Sequence, residues 1–223
     1  MNIVVRKLIA KEIYVNRWFI AGAAISGVVS VLIAGSGGKA AFNIGALTWV
    51  TTVIAFGVML GIYGIANERK EHSLLFVLSL PLSTGDYVRA KQAGLLLTFL
   101  APWLVSSAAA VALILVHADI PDGLVPFTVL LCVFMLANFS VVLCGALHAT
   151  SEAWMTTLII VTNMAVSVFM FSVVAIPGIG TSMLAPTAVW NDTVWAVLGL
   201  ELLIFILALA MPWFVAARRR DFI

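Results

Sequence analysis

The sequence predicts an all-α, polytopic membrane protein with six transmembrane helices, an N-terminal interfacial helix and a helical cytoplasmic segment. Of its 223 residues, 63% are hydrophobic and only 10% are charged. A soluble domain of this size must expose much of its surface to water, so it does not accommodate this composition. The hydrophobic residues also form six continuous runs, each close to the roughly 20 residues that a spanning helix needs.

We interpret residues 1–223 as a single membrane domain in which each run crosses the bilayer once. A β-barrel is excluded because its strands are short and alternate in polarity, whereas these runs are long and continuous. A helix also forms its own backbone hydrogen bonds in lipid. The predicted spans are residues 18–34, 42–66, 93–116, 124–147, 154–176 and 194–217.

The distribution of basic residues predicts the orientation. With the N-terminus in the cytoplasm, Lys39 is the only one of the twelve Lys and Arg residues that lies outside. This asymmetry follows the positive-inside rule, and six spans return the C-terminus to the cytoplasm. We interpret the cations as anchors at lipid headgroups, not as nucleic-acid contacts.

Two further segments do not span the membrane. Residues 1–16 predict an interfacial helix, on which Val5, Leu8 and Ile9 share one side. Glu12 falls on that same apolar side and departs from the pattern. Residues 177–193 mix Gly and Pro with apolar side chains, which predicts a re-entrant or interfacial segment on the outer side.

No motif in the sequence indicates a catalytic, cofactor or metal site. Residues 35–39 read GSGGK, but Ile33 stands where a Walker A motif needs its first glycine, and Ala40 replaces its Ser or Thr. The three histidines are dispersed over both membrane sides. Cys132 and Cys144 share one span and are interpreted as packing residues. The chain is therefore expected to have no ATP site of its own.

Among the polar residues within the predicted spans we single out Glu201, Asn138 and Asn163. An ionisable group in lipid is costly and often marks a transport path, so Glu201 is either a structural anchor or a residue of the translocation pathway. The two asparagines are more typical of interhelical hydrogen bonds.

Residues 68–92 form the only long stretch that is rich in charge. Three leucines at helical spacing predict an apolar helix face over 68–80, and Pro81 ends that helix. Ser83 then offers an N-cap with Asp86 as its partner, which predicts a second helix that runs into the third span. From the residues alone this segment is either a docking element or an ordinary inner loop whose leucines enter the interface.

This stretch resembles the first cytoplasmic loop of ABC-2-type exporter membrane subunits. His72 departs from the family pattern, because glycine is usual at that position. The matching residues are Glu71, Ser73, Leu75, Leu78, Pro81, Leu82, Ser83 and Lys91.

The resemblance implies a permease without ATPase activity, which pairs with a separate ATP-binding subunit and with a second permease copy. ATP and Mg²⁺ would bind the partner ATPase, and the loop would act as a coupling helix. The implied location is the bacterial cytoplasmic membrane, and an amphiphilic or hydrophobic substrate is expected. The expected ATPase-docking residues are Glu68, Arg69, Glu71, His72, Leu74, Leu75, Leu78 and Pro81.

Two alternatives to an ABC exporter remain at the level of sequence. A non-transporting scaffold or immunity protein would tolerate changes over residues 74–81 and stimulate no ATPase. A secondary transporter would use Glu201 as a proton carrier and would work without ATP.

Overall fold

The computed structural model describes residues 3–66, 83–149 and 151–218, and within these ranges the regular structure is helical. The first helices are α1 (Ile3–Val15), α2 (Arg17–Ala34) and α3 (Gly38–Gly61), which continues as a π-helical turn (Ile62–Ala66). The following helices are α4 (Thr84–Val116), α5 (Leu124–His148), α6 (Glu152–Ala175), the short α7 (Pro177–Gly180) and α8 (Asp192–Arg218).

Six of these helices, α2 to α6 and α8, are long and apolar enough to cross a membrane. This confirms the predicted all-α membrane fold and the number of candidate spans. Helix α4 begins at Thr84, as the predicted Ser83 cap requires, and it runs without a break in helical assignment into the third candidate span, which was predicted to start at residue 93. Its 33 residues extend about 50 Å, so α4 exceeds the roughly 30 Å hydrocarbon core and continues into the adjacent interface.

Helix α5 lies at the centre of the bundle. In the most apolar 18-residue stretch of α5, 67% of the residues are buried, compared with 17% in the corresponding stretches of α6 and α8. An aromatic stack joins it to its neighbours: the Phe99 ring of α4 lies 4.0 Å from Phe139 of α5 and 6.1 Å from Phe56 of α3. Such ring pairs contribute beyond the area they bury.

Three glycines of α3 and its π-helical turn, Gly57, Gly61 and Gly64, face neighbouring helices. A side chain added at Gly57 would meet the rings of Phe139 and Phe99, and one at Gly64 would meet Leu95 at 2.7 Å. Gly61 faces Val142 of α5 in the same way. Glycine at these positions lets α3 approach α4 and α5 closely.

The outer segment before α8 is broken, as predicted. It contains α7 and a 3₁₀ turn (Ser182–Leu184), and Gly123 donates its backbone N–H to Ala185 O at 3.0 Å. The Asn191 amide donates to Gly178 O, and its Oδ1 accepts the Val194 N–H at 3.0 Å. These bonds join α7 to the start of α8. Placement of the segment within a bilayer stays a prediction.

The contact between α2 and α3 generates a stability prediction. A Cβ at Gly45 would lie 2.3 Å from Ala34 N and 2.5 Å from Ser30 O, and backbone atoms do not move aside as a flexible side chain does. We expect Gly45→Ala to lower the free energy of unfolding by about 1–3 kcal/mol. Thermal unfolding in detergent, followed by tryptophan fluorescence, measures this loss.

The control for this prediction is Gly22→Ala on α2, where an added Cβ meets nothing within 4 Å. Alanine also favours the helix over glycine, so this variant should be neutral or slightly more stable. Equal unfolding temperatures for the two variants would contradict the close packing of α2 on α3.

Candidate functional site where helices α1, α4 and α8 meet

The N-terminus of α4 is capped by Ser83. Ser83 Oγ accepts the Asp86 backbone N–H at 3.1 Å and donates to Asp86 Oδ2 at 2.8 Å. This confirms the predicted N-cap and its partner. Helix α4 therefore starts at Thr84, and its helical assignment continues through Pro102 to Val116, so one helix joins the residues that follow position 82 to the candidate span.

All eight predicted ATPase-docking residues, Glu68, Arg69, Glu71, His72, Leu74, Leu75, Leu78 and Pro81, fall within residues 67–82 and lie outside the described residues. The structure describes the two flanks of this segment, which are the π-helical turn at the end of α3 and the capped start of α4.

A buried ion pair joins α1 to α4 close to this segment. Lys91 Nζ donates to Glu12 Oε1 at 2.8 Å, and the two residues are only 3% and 7% exposed. Away from water, such a pair stabilises a structure only when its geometry is good, but the loss of one partner leaves an uncompensated charge. The pair therefore holds α1 in a defined position against α4.

The backbones of α1 and α4 approach closely at this pair because α4 carries a glycine there. A Cβ at Gly94 would lie 2.8 Å from Glu12 Cγ and 3.6 Å from Ile9 Cα. At the end of α1, Asn16 Nδ2 donates to Glu12 O at 2.8 Å. Helical spacing places Val5, Glu12 and Asn16 on the buried side, which explains why Glu12 departs from the apolar pattern.

A second contact joins the same part of α4 to α8. Gln92 Nε2 donates to Leu209 O at 2.8 Å, three residues before Pro212, which lies inside α8. A proline disturbs the helical hydrogen bonds of the preceding turn, and the Gln92 amide adds a partner there. Arg89 lies 5.9 Å from the Trp213 ring. We name Glu12, Lys91, Gln92 and Leu209 the cytoplasmic cluster, after the side of the membrane that the sequence predicts for them.

The three polar residues predicted within spans lie on three helices and in three environments. Glu201 of α8 is 3% exposed, and neither carboxylate oxygen has a hydrogen-bond partner in the described part of the chain. Asn138 of α5 is half-buried and lines a cavity of about 10 Å³ beside Phe99. Asn163 is exposed at the middle of α6.

A larger cavity of about 420 Å³ opens between the loops at the opposite end of the bundle. Its polar lining includes Lys39, His117 and Asp119, and its apolar lining includes Phe42 and Leu184. Gly37 and Gly38 turn the chain into α3 at its edge, with φ values of 110° and 76°. An amphiphilic cavity of this kind suits a molecule with both a polar and an apolar part.

Across residues 3–66, 83–149 and 151–218, no group of three or more His, Cys, Asp or Glu residues is arranged to bind a metal ion. Cys132 and Cys144 are buried free thiols. The sequence did not predict that Glu12 and Lys91 form a pair. The signal that could have indicated it is the charge of Glu12 on the apolar face of α1, because a buried charge requires a counter-charge elsewhere in the fold.

A double-mutant cycle tests the ion pair. Lys91→Met leaves the Glu12 carboxylate buried without this cation, so the free energy of unfolding should fall by roughly 3–5 kcal/mol. Glu12→Leu should be similarly damaging. The double variant should lose clearly less than the sum of the two, because neither charge remains. Chemical or thermal unfolding of the full chain in detergent gives the coupling energy.

Lys7→Met is the matched control, because Lys7 is exposed on the same helix as Glu12. Its effect should stay within about 0.5 kcal/mol. Strictly additive losses in the cycle would show that Glu12 and Lys91 do not stabilise each other.

Comparison with known proteins agrees with the architecture. Searches of curated proteins and of solved structures find no significant match. The profile described as ABC-2 family transporter protein matches residues 7–219, which is nearly the whole chain and includes most of α1, the six candidate spans and residues 67–82. The resemblance predicted from the sequence is confirmed: the chain belongs to the ABC-2 transporter family and is an ABC transporter permease.

Proposed function

We propose that this permease is the membrane subunit of an exporter that is driven by ATP hydrolysis in a separate ATPase subunit. The cytoplasmic cluster is the observation that carries the proposal. It connects α1, α4 and α8 through Lys91 and Gln92, which follow the Ser83 cap by eight and nine residues along α4; the predicted docking residues precede that cap in the sequence. A bundle that must transmit a force from outside needs such a stiff connection at the point of contact.

In the proposed mechanism, the ATPase pair closes on ATP and displaces residues 67–82 together with α1. The N-cap at Ser83 and the unbroken α4 carry this displacement towards the membrane. The Glu12–Lys91 pair keeps α1 with α4, and the Gln92–Leu209 bond passes the movement to α8. Rigid helices then switch between two packed arrangements, which moves the substrate outward. ATP and Mg²⁺ belong to the partner subunit in this scheme.

We further propose that a second copy of the chain packs against α6. Asn163 stands at the middle of this 24-residue helix and is exposed, although an amide facing lipid would lack hydrogen-bond partners. A second permease, or a polar path between two copies, would supply them. The low burial of α6 is consistent with a face that is covered in a dimer.

For the substrate, we propose an amphiphilic molecule. The outer cavity combines the side chains of Lys39 and Asp119 with apolar side chains such as Phe42, and it lies at the end of the bundle where export would finish. We place the protein in the bacterial cytoplasmic membrane with both termini inside, as the distribution of basic residues predicts.

Charge reversal tests the docking role of residues 67–82. We expect Glu68→Lys/Glu71→Lys to reduce co-purification of the permease with its ATPase and to abolish ATP-dependent efflux, because the charge that the ATPase meets is inverted. The ATPase to test is a protein with a Walker A motif that a gene neighbouring the permease gene encodes, and co-purification from detergent-solubilised membranes measures the interaction.

Asp119→Lys/Asp122→Lys is the control, since it changes the net charge equally at the opposite end of the bundle. Its co-purification should match that of the wild type. A wild-type permease that neither binds an ATPase nor supports efflux with one would refute the proposed function and favour a non-transporting scaffold.

Asn163→Leu tests the second copy. If the amide pairs across a dimer, its loss should weaken self-association by about 0.6–2 kcal/mol, measured as the dimer fraction during dilution in lipid or detergent. Val161→Leu, at a neighbouring exposed position of α6, should leave the dimer fraction unchanged. A dimer that is unaffected or strengthened by Asn163→Leu would argue that this face meets lipid.

A further inference from the structure

Glu201 differs from every other buried charge that the structure describes. It lies nine residues after Asp192, the first residue of α8, which places it about 14 Å along the helix axis and near the middle of the 24-residue span. The side chain is 3% exposed, and both carboxylate oxygens are buried without a hydrogen-bond partner among the described residues.

On α4 and α5, which neighbour α8, two polar side chains lie at the same depth as Glu201. Cys132 lies eight residues into α5 and Ser107 nine residues before the outer end of α4, so all three are about 12–14 Å from the outer ends of their helices. The Cys132 thiol is near the Ser107 hydroxyl and within electrostatic range of Glu201. We name these three residues the Glu201 cluster.

No cation among the described residues compensates a charge in this cluster. Helix α8 packs against α4, α5 and α7. Cys132 is the titratable group that α5 presents at this depth, and His148 lies 16 residues away at the other end of α5, about 24 Å along the axis. On α4, Lys91 is equally distant from Ser107 and is paired with Glu12. Helix α7 carries no titratable residue.

We propose that the Glu201 cluster is a proton-binding site: Glu201 is a neutral carboxylic acid while α4, α5 and α8 are packed as in this structure, and loss of its proton loosens that packing. An ionised carboxylate without a cation or hydrogen bonds is strongly disfavoured in an apolar interior. Binding one proton removes the charge, and the same proton returns to water when the helices separate and the carboxylate becomes hydrated.

This inference does not depend on the ATPase or on the substrate. It gives the permease a contact between α4, α5 and α8 whose stability depends on pH. Two of these helices, α4 and α8, are also joined by the cytoplasmic cluster at their other end. Glu12 provides an internal contrast, because it is buried to a similar degree but pairs with Lys91 at 2.8 Å.

Difference infrared spectroscopy of the full chain in lipid nanodiscs at neutral pH tests the charge state. The wild type should show the C=O stretch of a neutral carboxylic acid, which shifts on deuteration and disappears in Glu201→Gln. Glu12→Gln should retain the band. Absence of the band from the wild type, or its loss in Glu12→Gln but not in Glu201→Gln, would overturn the proposal.

The pH dependence of stability tests the linkage to packing. If the folded state holds a proton that the unfolded state releases above about pH 4.3, where a solvated glutamate ionises, the wild type loses stability as the pH rises. Its unfolding equilibrium constant should then increase relative to that of Glu201→Gln by up to tenfold per pH unit. Parallel pH profiles for the two proteins would exclude the linkage.

A variant that fails to fold does not leave the proposal untested. The infrared band of the wild type alone can be followed as the pH is raised, and it should disappear together with the cooperative unfolding of the bundle. A band that vanishes at acidic pH while the helices stay packed would show that Glu201 ionises in the folded state, which contradicts the proposal.

Discussion

A polar group inside a bilayer has no water to bond with, and this constraint governs the arrangement of this permease. Backbone groups satisfy it through the hydrogen bonds of helices, and side chains satisfy it by bonding to a group on another helix. Lys91 and Glu12 neutralise each other at 2.8 Å, while Gln92 bonds Leu209 O where Pro212 disturbs α8. Each solution joins two helices, so the need to satisfy buried polar groups also determines which helices move together.

Helix α4 is the element in which these pairings converge. It begins at the Ser83 cap, bonds α1 through Lys91, bonds α8 through Gln92 and packs Phe99 against α5. This long helix has contacts at its capped end and at its centre, and it carries Pro102 in its interior, where a proline removes one helical hydrogen bond. The proposed coupling to an ATPase therefore relies on the part of the fold that has the most specific contacts.

Glu201 and Asn163 are two polar residues of the candidate spans that packing within one chain leaves in different environments. Asn163 is exposed, so a neighbouring protein copy supplies its partners in our proposal. Glu201 is enclosed, so a proton is the smallest ligand that removes its charge. The two residues suggest that assembly and protonation complete a structure that helix packing alone does not.

The sequence by itself determined the helical class, the number of spans and the N-cap at Ser83, because hydropathy over about 20 residues and capping chemistry are local properties. It also indicated the family through residues 68–92. Only the tertiary structure decided that Glu12 meets Lys91, 79 residues further along the chain, and that Glu201 is enclosed while Asn163 is exposed. Helical periodicity assigns a residue to a face of its own helix, but the partner of that face depends on how the helices pack, which no local pattern encodes.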